Sequence, residues 1–238
     1  MSLPLFYGKL ESDQSAVLNE SETRHCLKVL RKKEGDKIHF SDGNGRRYLG
    51  IIRQSSKKRA VVEVVDILES KELTCVKITL AFAPTKSSNR FEWLIEKAVE
   101  IGVYQIEPFV SKHSERRKIN TRRAGDIALS AMKQSGRLFL PEIKPLRPLE
   151  ELIEEGGKEE GRTHLVAAQG AEESIYALGG SPPELVVYIG PEGDFSESEM
   201  KVMHQNDFKF VTLGNYRLRT ETAGVVAVTQ LNSIFQQQ

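Results

Sequence analysis

Leu185-Val-Val-Tyr-Ile-Gly-Pro-Glu-Gly193 decides the fold: five apolar residues in a row, then two glycines bracketing a proline and a glutamate. An unbroken apolar run of that length suits a strand buried on both faces, as in a parallel sheet covered by helices. Glycine at the end of such a strand lets main chain approach a ligand closely. Leu165-Val-Ala-Ala168 leads in the same way into Gln169-Gly170, and Phe210-Val-Thr-Leu213 into Gly214-Asn-Tyr-Arg-Leu-Arg-Thr-Glu-Thr-Ala223. Open parallel sheets bind ligands beyond the carboxyl ends of their strands, so three such loops in succession mark a site. They do not identify its ligand.

Working outward, strands and helices alternate from Val76 onward. Val76 to Ala83 and Val103 to Val110 read as strands. Asn89 to Ile101 repeats apolar residues at helical spacing (Phe91, Leu94, Ile95, Ala98, Ile101) and stops at Gly102. Thr121 to Ser135 is a helix closed by Gly136, and Ser196 with Glu199 has the spacing of a capping box. Phe208 to Leu213 reads as a strand and Glu221 to Phe235 as the last helix. The alternation implies an α/β domain with a largely parallel sheet. Before it, turns at Gly35-Asp36, Asp42-Gly43-Asn44-Gly45 and Ser55 to Lys58 separate short strands at Lys37 to Phe40, Tyr48 to Ile52 and Ala60 to Ile67. This spacing predicts a small closed β-barrel with a short helix near Ser21 to Leu30. Glu69 to Thr74 is a polar joint, which divides the chain into domains 1–72 and 73–238.

Composition sets bounds on function. With 39 % hydrophobic and 28 % charged residues, the 238-residue chain can bury a core. It has no apolar run near the roughly 20 residues of a membrane helix and no signal pattern, so a cytoplasmic location is expected. Cys26 and Cys75 stand far apart and read as reduced thiols packed as small hydrophobes; the five scattered histidines predict no metal site. The net charge of +1 conceals ten Lys/Arg against three Asp/Glu over residues 110–148, followed by six Glu against one Lys over 149–161. The first segment suits a polyanionic partner and the second reads as a solvated acidic stretch. G-x-G-x-x-G, the G-x-x-x-x-G-K-[ST] phosphate loop and G-x-S-x-G are all missing, which counts against a dehydrogenase, an ATPase and a serine hydrolase.

Leu185 to Glu199 (LVVYIGPEGDFSESE) together with Leu213 to Ala223 (LGNYRLRTETA) resembles the paired signature of the RsmE family, uridine-N3 methyltransferases of small-subunit ribosomal RNA. His25 to Asp36 and Asp42 to Gly45 are similar to its N-terminal barrel, and Lys97 to Gly102, Ser114 to Arg116 and Gln134 to Arg137 to its central motifs. The likeness covers nearly the whole chain in order. Asp194 stands where the family commonly repeats glycine, and Arg217 where a branched aliphatic usually precedes Leu218-Arg219.

The resemblance implies a PUA-like RNA-binding β-barrel followed by a SPOUT-type α/β domain, its parallel sheet trefoil-knotted at the C-terminal end. It implies S-adenosyl-L-methionine as cofactor, 16S rRNA or the small ribosomal subunit as substrate, and a homodimer. Ala168, Gln169, Gly190, Pro191, Glu192, Gly193, Leu213, Gly214, Leu218, Arg219, Thr222 and Ala223 become the expected cofactor-binding residues. Uracil N3 is a poor nucleophile while protonated, so some group must take its proton or stabilise the resulting anion. Arg219, permanently charged, is the candidate for the anion and Glu221 for the proton; each also has a structural reading, as loop anchor and helix cap. Arg24, Lys28, Arg31 and Lys32 in the first domain, with Arg116, Arg117, Arg122, Arg123 and Arg137 beyond it, are expected to hold RNA phosphates. Tyr216 is placed to stack on a flipped base. The alternatives are a SPOUT methyltransferase of tRNA or of a ribose hydroxyl, and a non-catalytic RNA-binding assembly factor.

Overall fold

In a computed structural model that describes residues 4–73, 76–158, 161–180 and 182–235, the chain forms two compact units. Thr74 and Cys75, and Glu159 and Glu160 of the acidic stretch, lie outside the described residues. One unit comprises Met1–Leu73 with Leu129–Leu140, the other Thr74–Ala128 with Pro141–Gln238.

The first unit is a closed five-stranded barrel: β1 (Leu5–Ser12), β2 (Ser15–Leu18), β3 (Lys37–Ser41), β4 (Arg46–Ser55) and β5 (Ala60–Ser70), in the order β1-β2-β5-β4-β3. Parallel pairing of β1 with β3 closes the ring through Leu5↔His39, Phe6↔Phe40 and Tyr7↔Ser41. Three register shifts between β4 and β5 supply the local bends that a small barrel needs. Phe6, Leu18, Ile38, Phe40, Tyr48, Ile52 and Val62 fill the inside, with Phe40 and Tyr48 stacked 4.9 Å apart. Gly50 is dictated by this packing, since a Cβ there would fall 2.3 Å from Val62 Cγ1. Cys26 is a buried free thiol in the same core, and burial, partly opposed by Lys32, pushes its pKa up to about 11. Between β2 and β3 the expected helix is present as α1 (Glu20–Arg24), capped by Asn19 Oδ1 accepting from Glu22 N, followed by a π-helical turn over His25–Val29.

Residues 136–140 return to this barrel. Gly45 N–H donates to Leu138 O, Leu140 N–H donates to Gly43 O, and Asn44 bridges to Phe139. Lys133, in α3 (Thr121–Ser135), pairs with the buried Glu22, whose other oxygen accepts from Tyr7 N–H.

The second unit is a parallel sheet in the order β11-β13-β10-β12-β6-β7-β8, with β9 also paired to β7. Its strands are β6 (Lys77–Phe82), β7 (Gln105–Val110), β8 (Glu142–Ile143), β9 (Arg147–Pro148), β10 (Arg162–Ala167), β11 (Glu173–Ser174), β12 (Glu184–Ile189) and β13 (Lys209–Thr212). As their apolar runs require, β6, β10 and β12 lie in the middle. On one face, α6 (Thr220–Phe235) packs on α2 (Ser88–Ile101), β6 and β12. Gly224 permits that approach, because a Cβ would fall 2.7 Å from Leu94 Cδ1. The other face carries a cluster that includes Phe109, Leu152, Val186, Tyr188, Phe195, Met203 and Phe208, drawing on α4 (Leu149–Gly156) and α5 (Glu197–Gln205).

Helix α4 corrects the reading of residues 149–161 as simply solvated. Leu149, Leu152, Ile153 and Gly156 are buried at helical spacing while Glu150, Glu151, Glu154 and Glu155 point outward. The acidic residues are the polar face of an amphipathic helix, and Glu150 and Glu151 in its first turn favour the helix dipole.

His164 in β10 is buried under α4, its Nδ1 3.2 Å from the Tyr188 hydroxyl and its ring edge-on to Phe208. Burial, reinforced by Arg162, lowers its pKa to about 4. The unfolded chain therefore binds a proton at this site that the folded chain refuses between about pH 6.5 and 4, and stability falls as pH drops through that window. From pH 7 to pH 5 the unfolding free energy should fall by about 2 kcal/mol more for the wild type than for His164→Gln, measured by guanidinium unfolding. Equal slopes for the two proteins would remove His164 as the cause.

Candidate functional site

The ends of β13, β10 and β12 are neighbours in the sheet, so parallel pairing brings their following loops to one edge. The loops enclose a cleft of about 450 Å³, within the range of small-molecule sites. Ten of the twelve residues expected to hold the cofactor line it: Ala168, Gln169, Gly190, Pro191, Glu192, Leu213, Gly214, Leu218, Arg219 and Ala223. Gly193 and Thr222 do not. The Gly193 carbonyl is instead turned to His113 Nδ1, 3.1 Å away, and Thr222 sits in the first turn of α6.

Hydrogen bonds fix each loop. Ala168 N–H donates to Val211 O, Thr220 Oγ1 to Gly190 O, and Gln230 Nε2 to Leu213 O. Glu192 is an anchor as well as a wall: its Oε1 accepts from Lys86 N–H at 3.0 Å, and its carbonyl from the exposed Arg217 at 3.5 Å. Behind the β12 loop, the expected capping box is formed by Ser196 and Glu199. Buried Glu199 also accepts from Lys112 N–H at 2.7 Å, so one carboxylate ties the loop after β7 to the start of α5. Burial pushes its pKa up, but these amide and hydroxyl donors outweigh it, and the net shift is downward.

Asp194 lies in the left-handed region with φ 63°, the conformation that a repeated glycine would adopt freely, and its Oδ1 accepts from Phe195 N–H. Aspartate tolerates this backbone through such local hydrogen bonds. Arg217 is exposed and lines the cleft, where a charged side chain can stand in place of an aliphatic one.

Arg219 is exposed at the cleft, and its side chain has no hydrogen-bond or ion-pair partner among the described residues. Glu221 is 7 % exposed and lies behind the lining, with Oε1 3.5 Å from Arg90 Nε. Tyr216 lines the cleft and is 86 % exposed. The sequence reading missed Arg90, which enters the wall from the first turn of α2. Its one signal is a cation at the positive end of a helix, where charge of that sign is disfavoured.

The basic residues divide between the units. Arg24, Lys28 and Arg31 are exposed on the first, around a π-helical turn and with Arg31 in the left-handed region; Lys32 Nζ donates to Lys37 O. Half-buried Arg137 belongs to the same unit. On the second, Arg117 and Arg122 are exposed, Arg123 is paired with Glu92, and Arg116 lies over the Phe91 ring with Nε donating to Lys118 O. Phe91 is core. Among the described residues no group of three or more His, Cys, Asp or Glu is arranged to hold a metal, and no helix is long and apolar enough to cross a membrane.

Residues 71–232 match the family model of an RNA methyltransferase domain, and residues 18–65 that of an RNA methyltransferase PUA domain. A ribosomal RNA small subunit methyltransferase E from Aquifex aeolicus is 31 % identical over 231 residues, covering 95 % of this chain and 98 % of the relative. Among solved structures, a probable rRNA-methyltransferase from Porphyromonas gingivalis is 37 % identical with a TM-score of 0.85, covering 98 % of each chain. A ribosomal RNA small subunit methyltransferase E from Neisseria gonorrhoeae bound to S-adenosyl methionine is 27 % identical with a TM-score of 0.85 over the full length of both.

The geometry of residue 194 separates two substitutions. Asp194→Gly should leave stability within about 0.5 kcal/mol of wild type, whereas Asp194→Val should cost about 1–3 kcal/mol by forcing a β-branched residue into left-handed backbone. Thermal unfolding of the two variants checks this; equal melting temperatures would contradict it.

Proposed function

Because the chain belongs to the RsmE family of RNA methyltransferases, we propose that it transfers a methyl group from S-adenosyl-L-methionine to N3 of a specific uridine in 16S ribosomal RNA. The observation that carries the reading is the convergence of three fixed loops on one cleft with an uncommitted guanidinium, Arg219, at its edge.

The residues present fit the cofactor. Apolar walls from Ala167, Ile189, Leu213 and Ala223 meet main chain at Gly190 and Gly214, and a Cβ added at Gly214 would meet no atom within 4 Å, so ligand can approach there. Ala168, Gln169, Gly190, Pro191, Glu192, Leu213, Gly214, Leu218 and Ala223 would hold it, with Gly193 and Thr222 supporting from behind. When bound, S-adenosyl-L-methionine supplies a methyl group on a sulfonium centre, already activated for transfer. What remains for the protein is to place uracil N3 in line with it and to favour the deprotonated base. Arg219 meets the second need: it offers two parallel donors and a permanent charge to the anion spread over N3 and the flanking carbonyl oxygens. Glu221, the candidate for the proton, is set back from the cleft and paired with Arg90.

The target base has to be unpaired or flipped out to enter the cleft, and Tyr216 offers it a stacking face. Arg24, Lys28, Arg31, Lys32 and Arg137 on the first unit and Arg116, Arg117, Arg122 and Arg123 on the second would hold phosphates. The SPOUT-type knot and the homodimer follow from the family reading, as does action in the cytoplasm.

A methyl-transfer assay with unmodified small subunits, naked rRNA and tRNA, followed by nucleoside mass spectrometry, tests the reading. It should give 3-methyluridine from the ribosomal substrate alone. Product from tRNA or on a ribose hydroxyl would replace the substrate assignment, and neither cofactor binding nor transfer would favour an assembly factor. Arg219→Ala should lower kcat by about 100-fold or more with cofactor affinity little changed, the scale seen when a charge-stabilising donor is removed. Turnover at the wild-type level would exclude Arg219 from the chemistry.

A further inference from the structure

Arg90 sits against local preference, and the pair it forms is unfinished. Its side chain is 42 % exposed in the cleft wall, and it meets its partner in a single long contact, Nε to Glu221 Oε1 at 3.5 Å. Glu221 is more than nine-tenths buried, and its Oε2 has no partner among the described residues. An arginine and a carboxylate ordinarily close into a two-pronged fork, which would satisfy both oxygens. Here the guanidinium instead presents its Nε edge to Glu221. Both terminal nitrogens are left without a hydrogen bond among the described residues.

The helix ends explain which partner is fixed. Glu221 lies in the first turn of α6, where negative charge is favoured; Arg90 lies in the first turn of α2, where positive charge is not. The carboxylate is therefore the anchor and the guanidinium the arm. The cleft around that arm also carries Arg217 and Arg219, while its two carboxylates are already engaged: Glu192 by Lys86 N–H and Asp194 by Phe195 N–H. Positive charge from Arg90, Arg217 and Arg219 thus gathers at a cleft whose carboxylates are engaged, a pattern that suits an oxyanion.

We propose that Arg90 is a phosphate clamp for the target nucleotide, its terminal nitrogens holding the phosphate beside the flipped base while Glu221, as positioning residue, fixes the guanidinium at Nε. This rests on the RNA-methylation reading above. The cofactor's carboxylate is the competing oxyanion, and the measurements separate the two.

Full-length wild type, Arg90→Gln and Arg90→Lys would be compared. Gln can still donate to Glu221, which protects the fold, and Lys keeps the charge without the fork. Steady-state methylation of small-subunit rRNA across a salt series, with calorimetric binding of S-adenosylhomocysteine and of adenosine, gives the readouts. For Arg90→Gln the KM for RNA should rise about 10-fold at low salt, and the slope of log KM against log salt should fall by about 0.7–0.9. The kcat and S-adenosylhomocysteine affinity should stay within about 2-fold of wild type, and Arg90→Lys should recover the salt slope. An unchanged slope in Arg90→Gln overturns the clamp, as does a loss of S-adenosylhomocysteine affinity with adenosine affinity intact, which assigns Arg90 to the cofactor carboxylate. A wild type that methylates no RNA overturns the functional reading and the clamp with it; an active wild type confines failure to the clamp.

Discussion

Parallel pairing of β10 with β12, in register from Arg162↔Glu184 to Ala167↔Ile189, constrains everything that follows in the second unit. With β13 and β6 running the same way on either side, four carboxyl ends emerge at one edge of the sheet. Slipping one strand by a residue would exchange its inward and outward side chains, and two covered faces make that costly. Register is thus held by the core, and the site inherits its precision from packing far from the cleft.

The loops themselves are held by protein, largely through main chain. Glu199 accepts two amides and a hydroxyl, Glu192 accepts a third amide, and Thr220 and Gln230 donate to carbonyls at the ends of β12 and β13. Every bond of this frame lies within the chain, so a ligand has to supply none of them. The long acidic side chains near the cleft serve mainly in this frame, leaving the arginines to face outward.

Much of this was legible in the sequence because the signals were strong. Continuous apolar runs gave β6, β10 and β12, glycine stops gave the end of α2, and the Ser196–Glu199 spacing gave the start of α5. Strands β1 and β2 were not foreseen, since the Asp13-Gln14 turn between them carries neither glycine nor proline. Helix α4 was obscured by its glutamates, whose density masked four buried positions at helical spacing. Of the site, the glycine loops were readable, but Arg90 enters from a helix more than seventy residues earlier, and only tertiary structure brings it beside α6. Asp194 looked like a departure and proves to occupy the backbone conformation that glycine would have taken.

The return of residues 136–140 to the barrel has a consequence for synthesis. A chain grows from its N-terminus, so the five strands are complete roughly seventy residues before their last supports exist. Until then the Gly45 amide lacks the Leu138 carbonyl, and the buried Glu22 carboxylate lacks Lys133 as counter-ion. The barrel of a nascent chain therefore lacks this ion pair and these main-chain hydrogen bonds until α3 and the segment after it have been made.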